Sequence, residues 1–435
     1  MTILIILFCS IAIIGIFIID DSKLFSPIKF FSYLWGFILM LSCIHIGILE
    51  KPSVDAYVLL MTMISSFLLG SLICKYKNKK KNVEIVKRDT QVRKKLFYAL
   101  CIIYILFNLI DISLVLKYRM QGVPMWQIRN WYLQPFGSVN PILSRRTFVE
   151  TLFRNIVLEP MGLLIYPVAA YTFFTKRERK EKIISLLFAV LCLLTISIAG
   201  GGGRLVYIFF VLSYLLAYIS LYKTNKISKD LIKKYKKVLF IFVSTAFIGT
   251  VIITLIRVKN ESFLTQTYKY FAMPPTLLSE WLNRISGEPY TFGLLTTFGI
   301  HSYFFRTLNQ IGLTALVPNI FTRSFGHILN AEKFITIGTV GTGNAFVTPV
   351  YYFYLDGGFV FVVMASLFFG FLVEHVFNKI DNNLNVRNFM IYMIIMYGIL
   401  VSFMRIQTAI PSYIIAIVFV YILTKRDLGE QHEEK

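Results

Sequence analysis

The sequence predicts an all-α, polytopic integral membrane protein with a single transmembrane domain over residues 1–435, and three observations predict it. Hydrophobic residues make up 56% of the chain and charged residues only 16%. Charge-free apolar runs of about 17 to 22 residues recur, the length that carries an α-helix across a bilayer. Between them lie short linkers dense in lysine, the pattern that orients such helices.

Taken in order, the runs are Ile3–Ile19, Ile28–Leu49, Val54–Cys74, Leu96–Leu116, Ile156–Phe174, Ile183–Ala199, Leu205–Leu221, Val238–Ile256, Phe359–Phe377, Phe389–Met404 and Ile406–Leu423. That gives about eleven transmembrane helices, within a range of roughly 10 to 14. The first run has no preceding positive charge and no small-residue cleavage signal after it, so it is expected as a retained span.

The linkers at residues 75–95, 176–182 and 223–237 are crowded with basic residues, and the positive-inside rule makes them cytoplasmic loops. Lys425 and Arg426 fall on the same side, which puts the C-terminus in the cytoplasm. The net charge of +22 sits mostly in these linkers, where topology already accounts for it, so no nucleic-acid partner is expected. The five cysteines lie within or at the ends of spans without paired spacing, and neither a disulfide framework nor a zinc site is expected.

The opposite face holds two long segments, an amphipathic outer loop at 117–155 and a large outer loop at 257–356, which is the expected seat of a site. Its cations are chiefly arginines: Arg119, Arg129, Arg145, Arg146, Arg154, Arg204, Arg257, Arg284, Arg306, Arg323 and Arg405. Lysine suffices to hold topology, whereas the guanidinium fork binds phosphate oxygens in pairs and tolerates partial desolvation. An arginine-rich outer face therefore points to a phosphate-bearing ligand, with ordinary lipid headgroups as the alternative.

The stretch Gly200–Arg204 joins an outward-going span to an inward-going one. Consecutive glycines resist helix by about 1 kcal/mol each, so an unwound turn is expected, in which the N–H groups of Gly202 and Gly203 converge on an anion. Arg204 then opens the next helix, where the positive end of the dipole adds to its charge. The alternative is a flexible turn with a snorkelling arginine.

In the large outer loop, Tyr268, Tyr270, Trp281, Tyr290, Tyr303, Tyr351, Tyr352 and Tyr354 are suited either to stack on sugar faces or to form an interfacial belt. Leu294–Val317 is apolar enough to dip into the bilayer, yet it carries His301, Arg306, Asn309 and Gln310. Such a segment is expected to be re-entrant or protein-packed, or a pair of short half-helices. His301, His327, Glu280, Glu288 and Asp356 are the general-base candidates by residue type, and Asp356 immediately precedes Gly357, Gly358 and a span. Asp356 is read either as catalytic or as the partner of an arginine such as Arg204.

The turn GGGR at Gly201, the stretch YFAMPP at Tyr270, the turn YTFG at Tyr290 and the run NAFVTPVYYFYLDGGFVF from Asn344, followed by LFFGFL, carry a resemblance. Together they resemble the bacterial oligosaccharide repeat-unit polymerases, the Wzy-type enzymes of O-antigen and capsule assembly. The resemblance implies an integral-membrane glycosyltransferase fold related to the O-antigen ligases, and places Arg204, Asn344, Thr348, Tyr351, Asp356 and Gly357 in family-like positions. It implies a polyprenyl-pyrophosphate-linked oligosaccharide substrate at the outer face of the bacterial cytoplasmic membrane, with a chain-length regulator as a further partner. Arg204 and Arg257 are expected to hold the pyrophosphate, with Arg306 and Arg323 in support and Asn344, Thr348 and Tyr351 lining the substrate. Asp356 or His301 is expected to take or orient the acceptor hydroxyl. No Asp-x-Asp motif, metal-ligand cluster or phosphate-binding GxxxxGK[ST] loop occurs, so neither cofactor nor metal is expected. An O-antigen ligase and a lipid-oligosaccharide flippase are the rival functions, the second disfavoured by the lack of a convincing internal repeat.

Overall fold

The computed structural model describes residues 2–19, 24–44, 49–79, 90–125, 127–128, 131, 146–175, 178–200, 203–224, 244, 248–249, 251, 263–337, 341–343 and 346–426. Among them the chain is helical nearly throughout. Helices α1 (Thr2–Ile19), α2 (Pro27–Cys43) and α3 (Val54–Lys79) come first. A short strand β1 (Thr90–Val92) leads into α4 (Lys94–Met120), and then α5 (Phe148–Thr175), α6 (Arg179–Ala199) and α7 (Leu205–Lys223) follow as hairpins. Next come α8 (Phe263–Arg284), α9 (Phe298–Gln310), α10 (Asn319–Ala331), a small hairpin of β2 (Ile335–Ile337) and β3 (Gly341–Gly343), and α11 (Thr348–Asn382). The chain ends with α12 (Val386–Leu400), α13 (Pro411–Leu423) and β4 (Thr424–Arg426).

Six of these helices, α3 to α7 and α11, are long and apolar enough to cross a membrane. Their outward faces are apolar in helical register: Ile183, Leu187, Leu191, Leu194 and Ile198 on α6, and Val360, Met364, Phe368 and Leu372 on α11, are all exposed. Stripes of that kind are stable against lipid and not against water. The shorter apolar helices α2, α12 and α13, and Ile5–Ile14 of α1, fall on expected spans but are only 10–17 residues long. Among the described residues six helices are thus long and apolar enough to span, and the count of eleven is unestablished; the expected span Val238–Ile256 lies almost wholly outside the described residues.

Two apolar cores fill the bundle. One gathers α1, α2, α3, α8 and the first half of α11 around Trp35, Leu60, Tyr351 and Phe403, and the other gathers α4 to α7 with α12 and α13 around Tyr166, Tyr214 and Phe389. Gly70 of α3 and Gly370 of α11 let those two helices meet backbone to backbone, since a Cβ on either would stand 1.9 Å from the other helix's carbonyl oxygen. The Ser71 hydroxyl closes this contact by donating to the Gly370 carbonyl at 2.9 Å. Small residues at the crossing are how helices pack in lipid, where no hydrophobic force draws them together. Cys101 of α4 and Cys192 of α6 are buried side by side between their helices, a proximity that sequence spacing does not reveal.

Strand β1 pairs antiparallel with β4, Thr90 opposite Arg426, and so brings the basic 75–95 linker and the C-terminal basic pair to one end of the bundle. That lysine-rich end also receives the end of α7 at Lys223 and the start of α6. Arg204 and Arg405 therefore lie at the opposite end, called here the arginine end.

Residues 257–356, expected as a loop, are largely helical where described. Leu294–Val317 becomes a turn, the 13-residue helix α9 and a 3-10 turn, followed by α10. The range Leu294–Val317 thus holds one short helix and not the pair of half-helices expected as one alternative, the second helix α10 starting after it. Helix α11 is two helices merged across a break: Gly357 is extended at φ 176° and Gly358 adopts φ 65°, ψ −155°, a conformation open only to glycine. The half-helix before the break, Thr348 to Asp356, is buried almost throughout. Tyr351, Tyr352, Tyr268 and Trp281 accordingly belong to the core, and sugar stacking is closed to them.

Candidate functional site

Helix α5 begins with Thr147 accepting from the Glu150 N–H at 3.2 Å, a side-chain cap on its first turn. After six residues, Phe148–Phe153, the helix widens. Arg154–Leu158 form a π-turn in which the Glu159 N–H reaches back to the Arg154 carbonyl. The cause is local: Pro160 has no N–H with which to close an α-turn on Ile156, and its ring crowds that carbonyl. Arg154 and Glu159, at the two ends of this turn, meet different partners.

Arg154 faces α4. Its guanidinium donates to both oxygens of Asp111, at 2.9 and 3.2 Å, and to Glu150 at 2.9 Å, while Arg146 donates to Asp111 at 2.9 Å. This network is buried and neutral overall, and it fixes the start of α5 against α4.

Glu159 faces a cavity of about 420 Å³ lined by Tyr104 of α4, Tyr166 of α5, Val206 and Phe209 of α7, Tyr397 of α12, Arg405 and Gln407 from the α12–α13 connection, and Ser412 of α13. Glu159 is accessible to water, and the cavity it lines is partly open. Ser412 is its hydrogen-bonding neighbour, and Arg146, Arg405 and Arg306 supply the positive field around it without pairing with it.

The arginines reach this place from three separate parts of the chain. Arg405 is ion-paired with Glu332 at the end of α10, and that pairing raises its pKa. Arg306 of α9 lies over the Phe325 ring, 4.5 Å from its centroid, and also over Phe298; it has no carboxylate partner and its Nε is unbonded. Burial lowers its pKa, opposed by Tyr303 and Glu159. Arg204 caps α7, immediately before the cavity residues Leu205 and Val206, with its guanidinium 5.6 Å from the centroid of Tyr270. The Tyr270 hydroxyl points to the sulfur of Met404, another cavity residue, and burial lowers the Arg204 pKa.

Asp356 is elsewhere, and its oxygens are committed. It accepts from the Thr291 hydroxyl, from the Leu295 N–H at 3.0 Å and from the Thr296 N–H at 2.8 Å, and it pairs with no arginine. The carbonyls of Leu355 and Asp356, left without their usual helical partners at the glycine break, accept from the Thr291 and Phe292 N–H groups at 2.9 and 3.0 Å. One end of the half-helix thus holds the whole turn that launches α9. The same turn holds the cavity wall, because the Thr408 hydroxyl donates to the Thr296 carbonyl at 2.7 Å.

Of the other expected site residues, His301 sits among the rings of Phe298, Phe305 and Phe321 with its Nε2 unbonded, and burial lowers its pKa. His327 is buried with Nε2 likewise unbonded, its pKa lowered by burial. Arg323 donates to the Pro289 carbonyl at 3.4 Å, near His327 and away from the cavity. Tyr351 is fully buried, its hydroxyl donating to the His327 carbonyl at 3.1 Å. Thr348 is buried at a φ of 64°, its N–H donating to the Met404 carbonyl at 3.1 Å. Gly203 stands just before Arg204 with open space about it, whereas Gly202, Arg257 and Asn344 lie outside the described residues.

Among the described residues, none of the expected site residues lines the cavity: Arg306 is within electrostatic reach of Glu159 and Arg204 directly precedes the lining residue Leu205, while His301, Arg323, Thr348, Tyr351 and Asp356 are also off the lining. Sequence reading missed Glu159, Gln407 and Ser412 and gave Arg405 no role. Glu159 carried a signal, being an acidic residue inside an apolar run and beside a proline. Among the described residues no cluster of three metal-ligating side chains occurs. Comparison of the chain with known protein families, curated proteins and solved structures finds no match.

Proposed function

We propose that the protein is an integral-membrane glycosyltransferase that polymerises polyprenyl-pyrophosphate-linked oligosaccharide repeat units at the outer face of the bacterial cytoplasmic membrane, building an O-antigen or capsule. One observation carries the reading: Arg405 lines a partly open cavity, with Arg306 in electrostatic reach of its Glu159 and Arg204 next to its wall residue Leu205, at the end of the bundle opposite the lysine-rich linkers. By the positive-inside rule that end faces outward.

In the reaction, an acceptor hydroxyl oxygen bonds to the anomeric carbon of the growing glycan. The bond from that carbon to the lipid pyrophosphate breaks, and its electron pair leaves with the pyrophosphate. Charge grows on the leaving group, and guanidiniums in a partly desolvated site stabilise such charge more in the transition state than in the ground state. Arg306 has the free capacity, since aromatic rings hold it and no carboxylate neutralises it. Arg405 is set in place by Glu332, and Arg204 stands at the start of α7, where the helix dipole adds to it.

The test is a purified sample in liposomes given a defined polyprenyl-pyrophosphate repeat unit, read as an oligomer ladder. Wild type is expected to form the ladder, and Arg204→Ala and Arg306→Ala to lose about 10²-fold in rate each, as for loss of one charge-stabilising donor. Normal polymerisation by both variants would refute the pyrophosphate role. Transfer of finished glycan to a different acceptor without a ladder would make the protein a ligase.

A further inference from the structure

The cavity contains a carboxylate that the fold leaves without an ion pair. Toward the same end Asp111 and Glu150 are engaged by Arg146 and Arg154, Glu332 by Arg405, and Asp356 by a hydroxyl and two backbone N–H groups. Glu159 has the charge of three guanidiniums around it and an ion pair with none. An unpaired carboxylate within a membrane bundle is costly, and function is the usual reason it persists.

Two further features converge on it. Glu159 closes the π-turn that precedes Pro160, and such turns recur at functional sites. Deeper in the same cavity, the Tyr166 side chain is 99% buried by residue exposure, with its hydroxyl lacking any hydrogen-bond partner. Gln407 and Ser412 add polar groups to the walls, and Leu163, Val206 and Phe209 add apolar ones. A mixed lining in a cavity of this size suits a small polar ligand such as a sugar ring, which presents hydroxyls at its edge and C–H groups on its face.

We propose that Glu159 is the general base of the transfer, an inference that rests on the glycosyltransferase reading above. The acceptor sugar enters the cavity with its reacting hydroxyl against the Glu159 carboxylate and a second hydroxyl on Tyr166. As the hydroxyl oxygen bonds to the anomeric carbon, its proton passes to Glu159. The electron pair of the broken carbon–oxygen bond leaves with the pyrophosphate, held by Arg306, Arg405 and Arg204. The proton on Glu159 is then released to water. Asp356 acts at one remove, holding the turn that carries α9 and therefore Arg306.

The experiment compares wild type, Glu159→Gln and Glu159→Asp in liposomes on the same defined donor, with and without sodium azide. Azide attacks the anomeric carbon without losing a proton, so it has no need of the base. The ladder is expected to fall by about 10²- to 10⁴-fold in Glu159→Gln, the range for loss of a general base. Glycosyl azide, read by mass spectrometry, is expected to form at a rate within a few-fold of wild type, and Glu159→Asp to give an intermediate ladder. Ladder formation by Glu159→Gln near the wild-type rate would overturn the proposal. So would loss of ladder and azide product together in a variant that still melts cooperatively, because Glu159 would then serve binding or structure. If Glu159→Gln does not fold, Glu159→Asp decides: its charge is drawn back by one methylene, and an unaltered ladder again overturns the proposal. A wild type inert toward both acceptor and azide removes the glycosyltransferase reading itself, whereas a wild-type ladder with an active Glu159→Gln removes only the base.

Discussion

Thr296 and Asp356 stand 60 residues apart in the chain and 2.8 Å apart in the fold, the Thr296 N–H donating to one carboxylate oxygen. Through Leu295 and Thr291 the same carboxylate gathers the turn before α9, and through Thr408 that turn reaches the loop bearing Arg405 and Gln407. Replacing Asp356 by Asn puts an amide donor among groups that need an acceptor. An Asp356→Asn protein is expected to lose about 2–4 kcal/mol of stability, the cost of leaving buried donors unpaired, and Thr291→Val about 1 kcal/mol. Melting in detergent measures both. Polymerisation is expected to weaken together with stability and to recover in part on cooling, as it would for a positioning residue.

How much of this could be read beforehand differs by level. The spans were legible because each helix in lipid announces itself by an apolar run, and the glycine break at Gly357 and Gly358 was visible as a pair of residues no helix favours. The arginine end was legible by residue type. What the sequence conceals is partnership: Arg154 and Glu159 lie five residues apart in one helix, and nothing local says that the first meets Asp111 of α4 and the second the cavity. Asp356 drew attention by its place before the break, but its partners lie about sixty residues earlier, where no local pattern points to them.

The α3–α11 crossing has no slack. Ala at position 370 would place its Cβ 1.9 Å from the Phe67 carbonyl oxygen, a backbone atom that moves only if the helices part. Gly370→Ala is expected to destabilise by about 3 kcal/mol, at the upper end of overpacking costs. Gly326 in α10 is the control, since a Cβ there meets nothing within 4 Å. Gly326→Ala is expected to stabilise by roughly 0.5 to 1 kcal/mol through helix propensity. Thermal melts of the two proteins should move in opposite directions.

The Arg154–Asp111 pair is bidentate, with side chains 8% and 7% exposed. Arg154→Met leaves Asp111 with Arg146 alone and Glu150 without a partner, and is expected to cost about 3 kcal/mol, the low end for breaking a buried pair. Asp111→Leu in the same chain removes the half-satisfied carboxylate and is expected to recover part of that loss. A double-mutant cycle by denaturation therefore has a coupling well above the sum of independent effects; additive losses would mean that the pair does not hold α5 to α4.

His301 and His327 give stability a pH dependence whose sign follows from burial. Both have folded pKa values below the ordinary histidine value, because burial disfavours the charged ring. Asp356 opposes the shift at His301. At His327 Glu288 and Asp356 oppose it and Arg323 reinforces it. Below about pH 6.5 the unfolded chain binds protons that the folded chain resists, so stability is full above that value and falls as pH drops toward the folded pKa values. Each histidine can contribute a slope of at most about 1.4 kcal/mol per pH unit within that window. Since neither Nε2 has a hydrogen bond to lose, His301→Phe and His327→Phe can replace the rings without orphaning a partner at that atom. Melting the double variant and wild type from pH 8 to pH 5 should give curves that run parallel above about pH 6.5 and separate below it, with the wild type falling faster. If wild type and variant fall together across the range, the acid sensitivity belongs to the carboxylates and these two rings are not its source.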